Sequence, residues 1–229
     1  MRITHWLFSD SFGDSTNFAD VTPVKISLNL GAKPVCKTTC PRVPAGLEES
    51  SKALILKLIE EGVIRRWDKP SNWGLNSHSE RVGYPFSSSK DFHLDIQNKT
   101  YVFVSVDLIQ AYFQLKVAEE SVPLLVFLCP WGKMAMNKLP MGWTGSGDYL
   151  HITTRCLLAG LDRSVNIFND LLLQPQSGSE AYRVAAQVLI QAIGKNLKFS
   201  LIKISNHSLS YFLWFKFKCK SRRQCGHST

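Results

Sequence analysis

The sequence predicts an α+β fold of the split βαβ type, in which an antiparallel sheet carries two helices on one face. A run rich in β-branched and aromatic residues at 101–106 is typical of a strand. Two apolar runs within 165–173 flank an Asn-Asp dipeptide, and both residues tolerate the left-handed backbone of a tight turn, so they predict a β-hairpin. Residues 149–158 suit a helix, and apolar residues at helical spacing over 181–192 predict another. The resulting order is strand, helix, hairpin, helix, strand.

The segment before the first of these strands carries one further helix. Residues 1–21 are interpreted as a loose leader, and the prolines within 22–44 predict an extended course. A helix with one apolar face follows and stops at Gly62. The apolar face consists of Leu47, Leu54, Ile55, Leu58 and Ile59. After an extended piece at 63–64, residues 67–98 are interpreted mostly as loop.

Short patterns predict the remaining elements. Alternating apolar and polar residues at 113–117 predict a second extended piece, and the apolar run 124–129 between two prolines predicts a core strand. Glycines within 142–147 predict a turn, and Gly194 ends the last helix. Further strands are expected at 196–202 and 208–217, followed by a disordered basic tail at 218–229.

The composition favours a globular protein with a polyanionic partner. Of the 229 residues, 45% are apolar and 20% are charged, and the formal net charge of +9 suits nucleic acid or an acidic membrane surface. No apolar run approaches the roughly 20 residues that span a bilayer. The six cysteines form no CxxC pair and no zinc-type spacing, so we expect free thiols in an intracellular compartment, the cytoplasm or the nucleus.

Two carboxylates mark the predicted chemistry. Asp107 ends the first strand and Asp170 lies at the hairpin tip, and the central strands of a split βαβ sheet are neighbours, so the carboxylates are expected to converge. Mg²⁺ prefers oxygen ligands from one or two carboxylates plus substrate phosphates. Two such ions stabilise the attacking and leaving oxygens of a phosphoryl displacement. Taken singly, Asp107 is more often a solvated strand-end residue and Asp170 a turn former.

Four ordered motifs resemble those of reverse transcriptases, particularly the enzymes of gypsy-like LTR retrotransposons. The motifs lie at 106–115 (VDLIQAYFQL), 139–146 (LPMGWTGS), 167–171 (IFNDL) and 196–203. Shorter runs that resemble the start of the fingers subdomain lie at 22–25, 42–44 and 58–64. The resemblance covers about residues 22–215.

The resemblance implies the palm of a right-hand polymerase, with a ferredoxin-like sheet, and a truncated fingers subdomain. Residues 22–100 would form the truncated fingers, and residues 101–217 the palm with the start of the primer-grip region. The implied activity is RNA-directed DNA polymerisation, the transfer of a nucleotide from a dNTP to a primer 3′-OH. The implied cofactor is Mg²⁺ or Mn²⁺, and the implied partners are dNTPs and an RNA or DNA template–primer.

The resemblance also implies roles for single residues. Asp107 and Asp170 would hold the metal ions together with the backbone carbonyl of Leu108, and Asn169 belongs to the catalytic hairpin tip. Tyr112 would be the steric gate that excludes a 2′-hydroxyl, although plain core packing is the alternative for Tyr112 and Met141. The residues expected at the nucleotide are Tyr112, Met141, Gly142 and Lys203, and those expected at the nucleic acid are Arg81 and Trp143.

Three departures from the family pattern predict impaired activity. Asn169 stands where the family has an Asp, so a cation site loses a full negative charge. The run 73–76 joins two family landmarks directly, which indicates a deletion of the fingers strands that clamp the triphosphate and leaves Arg81 nearby. Trp214 stands where the primer grip usually has a glycine.

The departures leave an alternative open and carry a consequence for stability. The alternative is a noncatalytic nucleic-acid-binding remnant held by its basic surface. A dinucleotide-binding loop at 142–147 is a weaker reading, because no βαβ unit with a downstream acidic residue surrounds it. The shortened fingers also predict that Leu54, Leu58 or Ile64 is more exposed than a core residue should be.

Overall fold

The structure is a computed structural model that describes residues 18–32, 40, 42–69, 102–161, 164–167 and 170–205. The helices are α1 (Glu48–Glu60), α2 (Ser146–Leu157) and α3 (Gly178–Ile193). The strands are β1 (Ile64–Arg66), β2 (Phe103–Leu108), β3 (Val126–Cys129), β4 (Gly132–Met136), β5 (Ser164–Ile167), β6 (Asp170–Leu173) and β7 (Phe199–Ser205). The predicted strand at 208–217, the basic tail, the loop over 70–98 and most of the leader lie outside the described residues.

Within the described residues, the larger sheet has four strands in the order β5-β6-β2-β7, and every neighbouring pair is antiparallel. Helix α2 lies in the chain between β2 and β5, and helix α3 between β6 and β7. The predicted order of strand, helix, hairpin, helix and strand is therefore present, with the first and third strands of the motif at the centre of the sheet.

One apolar core fills the space between this sheet and the helices. Val104 and Val106 of β2 and Leu171 and Leu173 of β6 are buried in it. Helix α3 contributes the face that the sequence predicted, Ala181, Val184, Val188 and Ala192. The N-terminal end of α3 is capped by Ser177, whose side chain accepts a hydrogen bond from the backbone N–H of Glu180 at 3.2 Å. Gly194 follows the last turn, as the sequence predicted.

A second, smaller sheet has the order β1-β4-β3. Strand β3 lies within the predicted core strand at 124–129, although Val122–Leu125 just before it form a 3₁₀ helix. Strand β4 was not predicted, because Gly132 and Lys133 interrupt its apolar pattern. Gly132 has a φ of 126° at the β3–β4 turn, a conformation that glycine adopts without strain.

The predicted second extended piece at 113–117 is wrong over its first half. Residues Ala111–Gln114 form a 3₁₀ helix that follows Gln110, which has a left-handed φ of 43°. The Gln114 side chain explains the turn, because its Nε2 donates to the carbonyl oxygens of Ile109 (2.6 Å) and Lys198 (2.9 Å). Its Oε1 accepts from the backbone N–H of Lys198 at 2.7 Å. The buried amide thus ties the end of β2 to the residues before β7.

Helix α1 has no buried residue, and Gly62 beyond its end has a φ of 65°. Leu54 is 55% exposed, which matches the expectation for the shortened fingers, and Leu58 is half-buried. Ile64 is not among the exposed residues, because it is 1% exposed and packs in a small cluster with Val63 and Met134. Within the described part of the chain, no helix combines the length and apolar character needed to cross a membrane.

Candidate functional site

The sheet register brings the two predicted metal-binding positions together. Strands β2 and β6 pair so that Val106 faces Leu171 and Asp107 faces Asp170. The Cα atoms of directly paired residues in antiparallel strands lie about 4.5–5.5 Å apart. On its other side, β6 pairs with β5, and Ile167 faces Asp170. The expected convergence of these two positions across the sheet is therefore present in the backbone.

Asp107 lies on the face of β2 that points away from the helices. Val104, Val106 and Leu108 belong to the core between sheet and helices. Because side chains alternate along a strand, Ser105 and Asp107 lie on the opposite face. Ser105 is buried, whereas Asp107 at the strand end is only half-buried. A carboxylate at that position remains within reach of a solvated ligand.

A β-bulge interrupts the pairing of β2 with β7 between Asp107 and Leu108. Asp107 faces Leu201 and Leu108 faces Phe199, so one residue of β7 is skipped. Bulges bend a strand, take backbone groups out of the regular ladder, and recur beside active sites. The bulge therefore lies at the two residues whose carboxylate and carbonyl the sequence assigns to a metal ion.

Lys203 lies on β7, opposite Ser105. Leu201 faces Asp107 in the same pairing, so Lys203 lies two residues further along β7, away from the end of the sheet that carries Asp107. The register thus places this predicted phosphate-binding position on the strand next to the aspartate strand.

Tyr112 lies in the 3₁₀ helix that directly follows β2. Its ring is half-buried and packs against the main core, and this burial raises the pKa of the phenol above its usual value. The hydroxyl therefore stays protonated at neutral pH. The contact agrees with core packing, the alternative role of Tyr112. Its role as a steric gate stays a prediction.

The turn before α2 separates exposed from buried members of the predicted nucleotide-binding motif. Met141 is 61% exposed and Gly142 is also exposed. Trp143, in contrast, is 4% exposed and stacks on Tyr149 with ring centroids 5.8 Å apart. Little of the indole surface is open to a nucleic acid in this arrangement, and its binding role stays a prediction.

Several buried residues that pack next to the predicted site were not predicted from the sequence. A Cβ atom on Gly145 would lie 2.5 Å from the Trp143 ring, so the turn requires a glycine there. His151 and Thr154 on α2 and Asn166 on β5 form a buried polar cluster beside the hairpin. The available signal was a polar residue within the apolar run of β5 and polar residues on the buried face of a helix.

The donor set fits a hard divalent cation. Carboxylate and carbonyl oxygens at 107, 108 and 170 are ligands that Mg²⁺ prefers, and a Mg²⁺ site commonly takes only one or two carboxylates with substrate phosphates. Across the described ranges, no cluster of three or more His, Cys, Asp or Glu side chains could hold a metal ion by itself. Arg81 and Asn169 lie outside the described residues.

Comparison with solved structures identifies the fold. The foamy viral protease–reverse transcriptase in complex with an RNA/DNA hybrid superposes with a TM-score of 0.75 over 86% of this chain at 13% identity. The native prototype foamy virus protein gives a TM-score of 0.73 over 90% at 14% identity, and a foamy viral complex with double-stranded DNA gives 0.73 over 89% at 14% identity. The fold is reverse-transcriptase-like.

The likeness to the reverse transcriptases concerns the fold of part of those proteins. This chain spans 29%, 30% and 39% of the three foamy viral chains. No protein-family model and no curated protein matches the sequence. The reverse-transcriptase-like fold nevertheless agrees with the fold that the ordered sequence motifs implied.

Proposed function

We propose that this chain is the palm and shortened fingers of a reverse transcriptase from a gypsy-like LTR retrotransposon. In this proposal residues 22–100 are the fingers and residues 101–217 the palm. Asp107 and Asp170 bind divalent cations beside an RNA or DNA template–primer, for transfer of a nucleotide from a dNTP to the primer 3′-OH. The activity of this copy is impaired by Asn169 and by the shortened fingers.

The observation that carries the proposal is the pairing of Asp107 with Asp170. Directly opposite positions in antiparallel strands lie on the same face of the sheet. An aspartate at each of two such positions supplies the carboxylate oxygens that a hard divalent cation prefers. The half-buried Asp107 and the bulge beside Leu108 support a cation site at this end of the sheet.

The protein's own groups would hold the substrates around this pair. When bound, Mg²⁺ would stabilise negative charge on the attacking and leaving oxygens. Lys203 would neutralise the nucleotide phosphates, and exposed Met141 and Gly142 would contact the nucleotide. Tyr112, fixed by its packing, would stack under the sugar and exclude a 2′-hydroxyl.

The alternative function is noncatalytic binding of nucleic acid. It is favoured by Asn169, which supplies a neutral oxygen in place of a carboxylate, and by the net charge of +9. In this case the sheet would still bind a duplex through salt-sensitive phosphate contacts, without nucleotide transfer.

Metal binding and primer extension test the proposal together. We expect the unmodified chain to bind Mn²⁺, followed by electron paramagnetic resonance, and Asp107→Asn to weaken binding by more than the ~10–100-fold typical of losing an outer-shell partner. Asp20→Asn is the matched control, because Asp20 is exposed and outside the sheet. On a primed RNA template we expect weak extension by the unmodified chain and none by Asp107→Asn.

The outcomes separate the two functions. Salt-sensitive binding of an RNA/DNA hybrid without any extension would favour the noncatalytic alternative. Mn²⁺ affinity that is equal in Asp107→Asn and the unmodified chain would contradict the metal site. Robust extension by the unmodified chain would contradict the proposed impairment.

A further inference from the structure

A buried hydrogen-bond network joins helix α2 to the edge strand of the large sheet. The Asn166 Nδ2 atom donates to the His151 carbonyl oxygen at 3.2 Å and lies 3.2 Å from the His151 ring Nδ1. It also bonds to the Thr154 Oγ1 atom. The three side chains are 7%, 5% and 0% exposed, respectively, so water competes little for these bonds.

The two hydrogens of the Asn166 amide nitrogen are shared among three neighbouring acceptor atoms. The Asn166 atom beside the His151 carbonyl must be the donor, because a carbonyl oxygen only accepts. The Thr154 hydroxyl donates within the helix to the Leu150 carbonyl at 2.9 Å, so its oxygen can accept from Asn166. Burial and the charge of Arg155 lower the His151 pKa, partly opposed by Asp148, and a neutral ring can accept at Nδ1.

The network lies one residue pair away from Asp170, the first residue of β6. In the β5–β6 pairing Asn166 faces Leu171, and the adjacent pair is Ile167 with Asp170. Among the strands that the structure describes, β5 lies at the edge of the sheet, where it pairs with β6. Segments held by few buried contacts and hydrogen bonds are the ones that open locally, so an added attachment stabilises them. Helix α2 supplies that second attachment at Asn166.

We propose that Asn166, held by His151 and Thr154, is a positioning residue that fixes the β5–β6 hairpin and so keeps Asp170 opposite Asp107. The inference rests on the proposed function for the metal site. The anchoring itself needs only the contacts within the fold. Asn166 acts through the hairpin and touches neither a metal ion nor a substrate.

The test compares three substitutions in the network with one beside it. Asn166→Leu removes the donors at similar volume, and Thr154→Val removes the acceptor. His151→Gln keeps a side-chain acceptor. Thr153→Val is the matched control, because the Thr153 hydroxyl donates to the Tyr149 carbonyl within the same helix at 2.9 Å.

Hydrogen exchange provides a readout that does not depend on metal binding. We expect peptides from 164–173 to exchange about tenfold faster in Asn166→Leu and Thr154→Val. The first substitution leaves buried acceptors without their donor, and the second leaves the Asn166 donor without the Thr154 acceptor. Exchange in β2 and α3 should not change, and His151→Gln and Thr153→Val should resemble the unmodified chain. Unchanged hairpin exchange in Asn166→Leu, or faster exchange over the whole sheet, would overturn the anchoring.

Mn²⁺ affinity, measured on folded protein, provides the readout that a purely structural role would not change. It should fall in the same two variants that loosen the hairpin. A loosened hairpin with unchanged Mn²⁺ affinity would overturn the positioning role. Absence of Mn²⁺ binding in the unmodified chain would contradict the proposed function instead, and the exchange result would still decide whether Asn166 anchors the hairpin.

Discussion

Gly145 illustrates how one residue without a side chain shapes the surroundings of the site. The buried Trp143 ring occupies the volume that a Cβ atom would need, with the Cζ2 atom 2.5 Å from it. We expect Gly145→Ala to destabilise the fold by about 1–3 kcal/mol, as overpacking does. Gly142→Ala is the control, because nothing lies within 4 Å of a Cβ atom there. Thermal unfolding measures both, and equal effects would show that the Trp143 ring moves aside freely.

His151 makes stability depend on pH. Its pKa is lowered in the folded protein, by burial and by Arg155, so near pH 6 the unfolded chain binds more protons than the folded one. The contribution of His151 is therefore fully present above the usual pKa of about 6.5 and is lost as pH falls from there towards the lower folded pKa. We expect His151→Gln to flatten the pH dependence of the melting temperature in this window. A parallel profile for both proteins would contradict the assignment.

Asn169→Asp tests the missing charge at the hairpin tip. If the proposed metal site is correct, an added carboxylate should raise Mn²⁺ affinity, because each added anionic ligand strengthens a hard-cation site. Primer extension should recover little, because the proposed loss of the triphosphate clamp is not repaired by this substitution. Recovery of extension to the level of an intact enzyme would show that Asn169 alone limits activity.

Among the elements, those with a local signal could be predicted from sequence. Helix α3 follows from its own apolar spacing and capping residues. The β5–β6 hairpin was predicted from its two apolar runs, but Asp170, which was expected in the turn, is the first residue of β6. The 3₁₀ turn at 111–114 could not be predicted, because Gln114 bonds to Lys198, which is 84 residues away. Strand β4 depends equally on a distant partner, since its neighbours in the sheet are β1 and β3.

Part of the candidate site could likewise be predicted from the sequence, and part could not. The Asp107–Asp170 pairing could be expected from the strand order, because a split βαβ sheet puts those strands side by side. The Asn166 network could not, because a polar residue within an apolar run does not indicate which distant residues it bonds to. Only the packing of α2 on β5 brings them together.

Substitutions in helix α1 and in strand β1 should change the free energy of unfolding by very different amounts. Leu54 is 55% exposed, so Leu54→Gln should change the free energy of unfolding by no more than about 0.5 kcal/mol. Ile64 is 1% exposed, and Ile64→Ala should cost about 2–5 kcal/mol. Chemical denaturation measures both. A large loss in Leu54→Gln would mean that the apolar face of α1 is covered in solution.

Protection from hydrogen exchange should also differ between these regions. We expect it to concentrate in the large sheet around Val104 and Ile167, which lie in paired strands. Helix α1 has no buried residue and should exchange faster. Equal protection over residues 22–98 would show that this segment forms a stable core of its own.

At the scale of the whole molecule, the net charge of +9 should dominate nucleic-acid binding. Affinity for an RNA/DNA hybrid should fall linearly on a log–log plot against salt, with a slope of about −0.7 to −0.9 per phosphate contact. Fluorescence anisotropy between about 50 and 200 mM salt measures this slope. Affinity that does not change with salt would rule out phosphate contacts as its source.

The strand order β5-β6-β2-β7 also dictates when the sheet can form during synthesis. The central strand β2 is made first, and both of its neighbours follow helix α2, with β7 completed 205 − 108 = 97 residues after β2 ends. At ~5–20 residues per second, ribosomal elongation leaves β2 without its β7 edge for roughly 5–20 s. Until β6 is complete at residue 173, the Val104 and Val106 side chains belong to a strand with neither of its two neighbours in this sheet. Nascent chains stalled before β6 should therefore be the species that aggregates or recruits chaperones, and chains released after residue 205 should not.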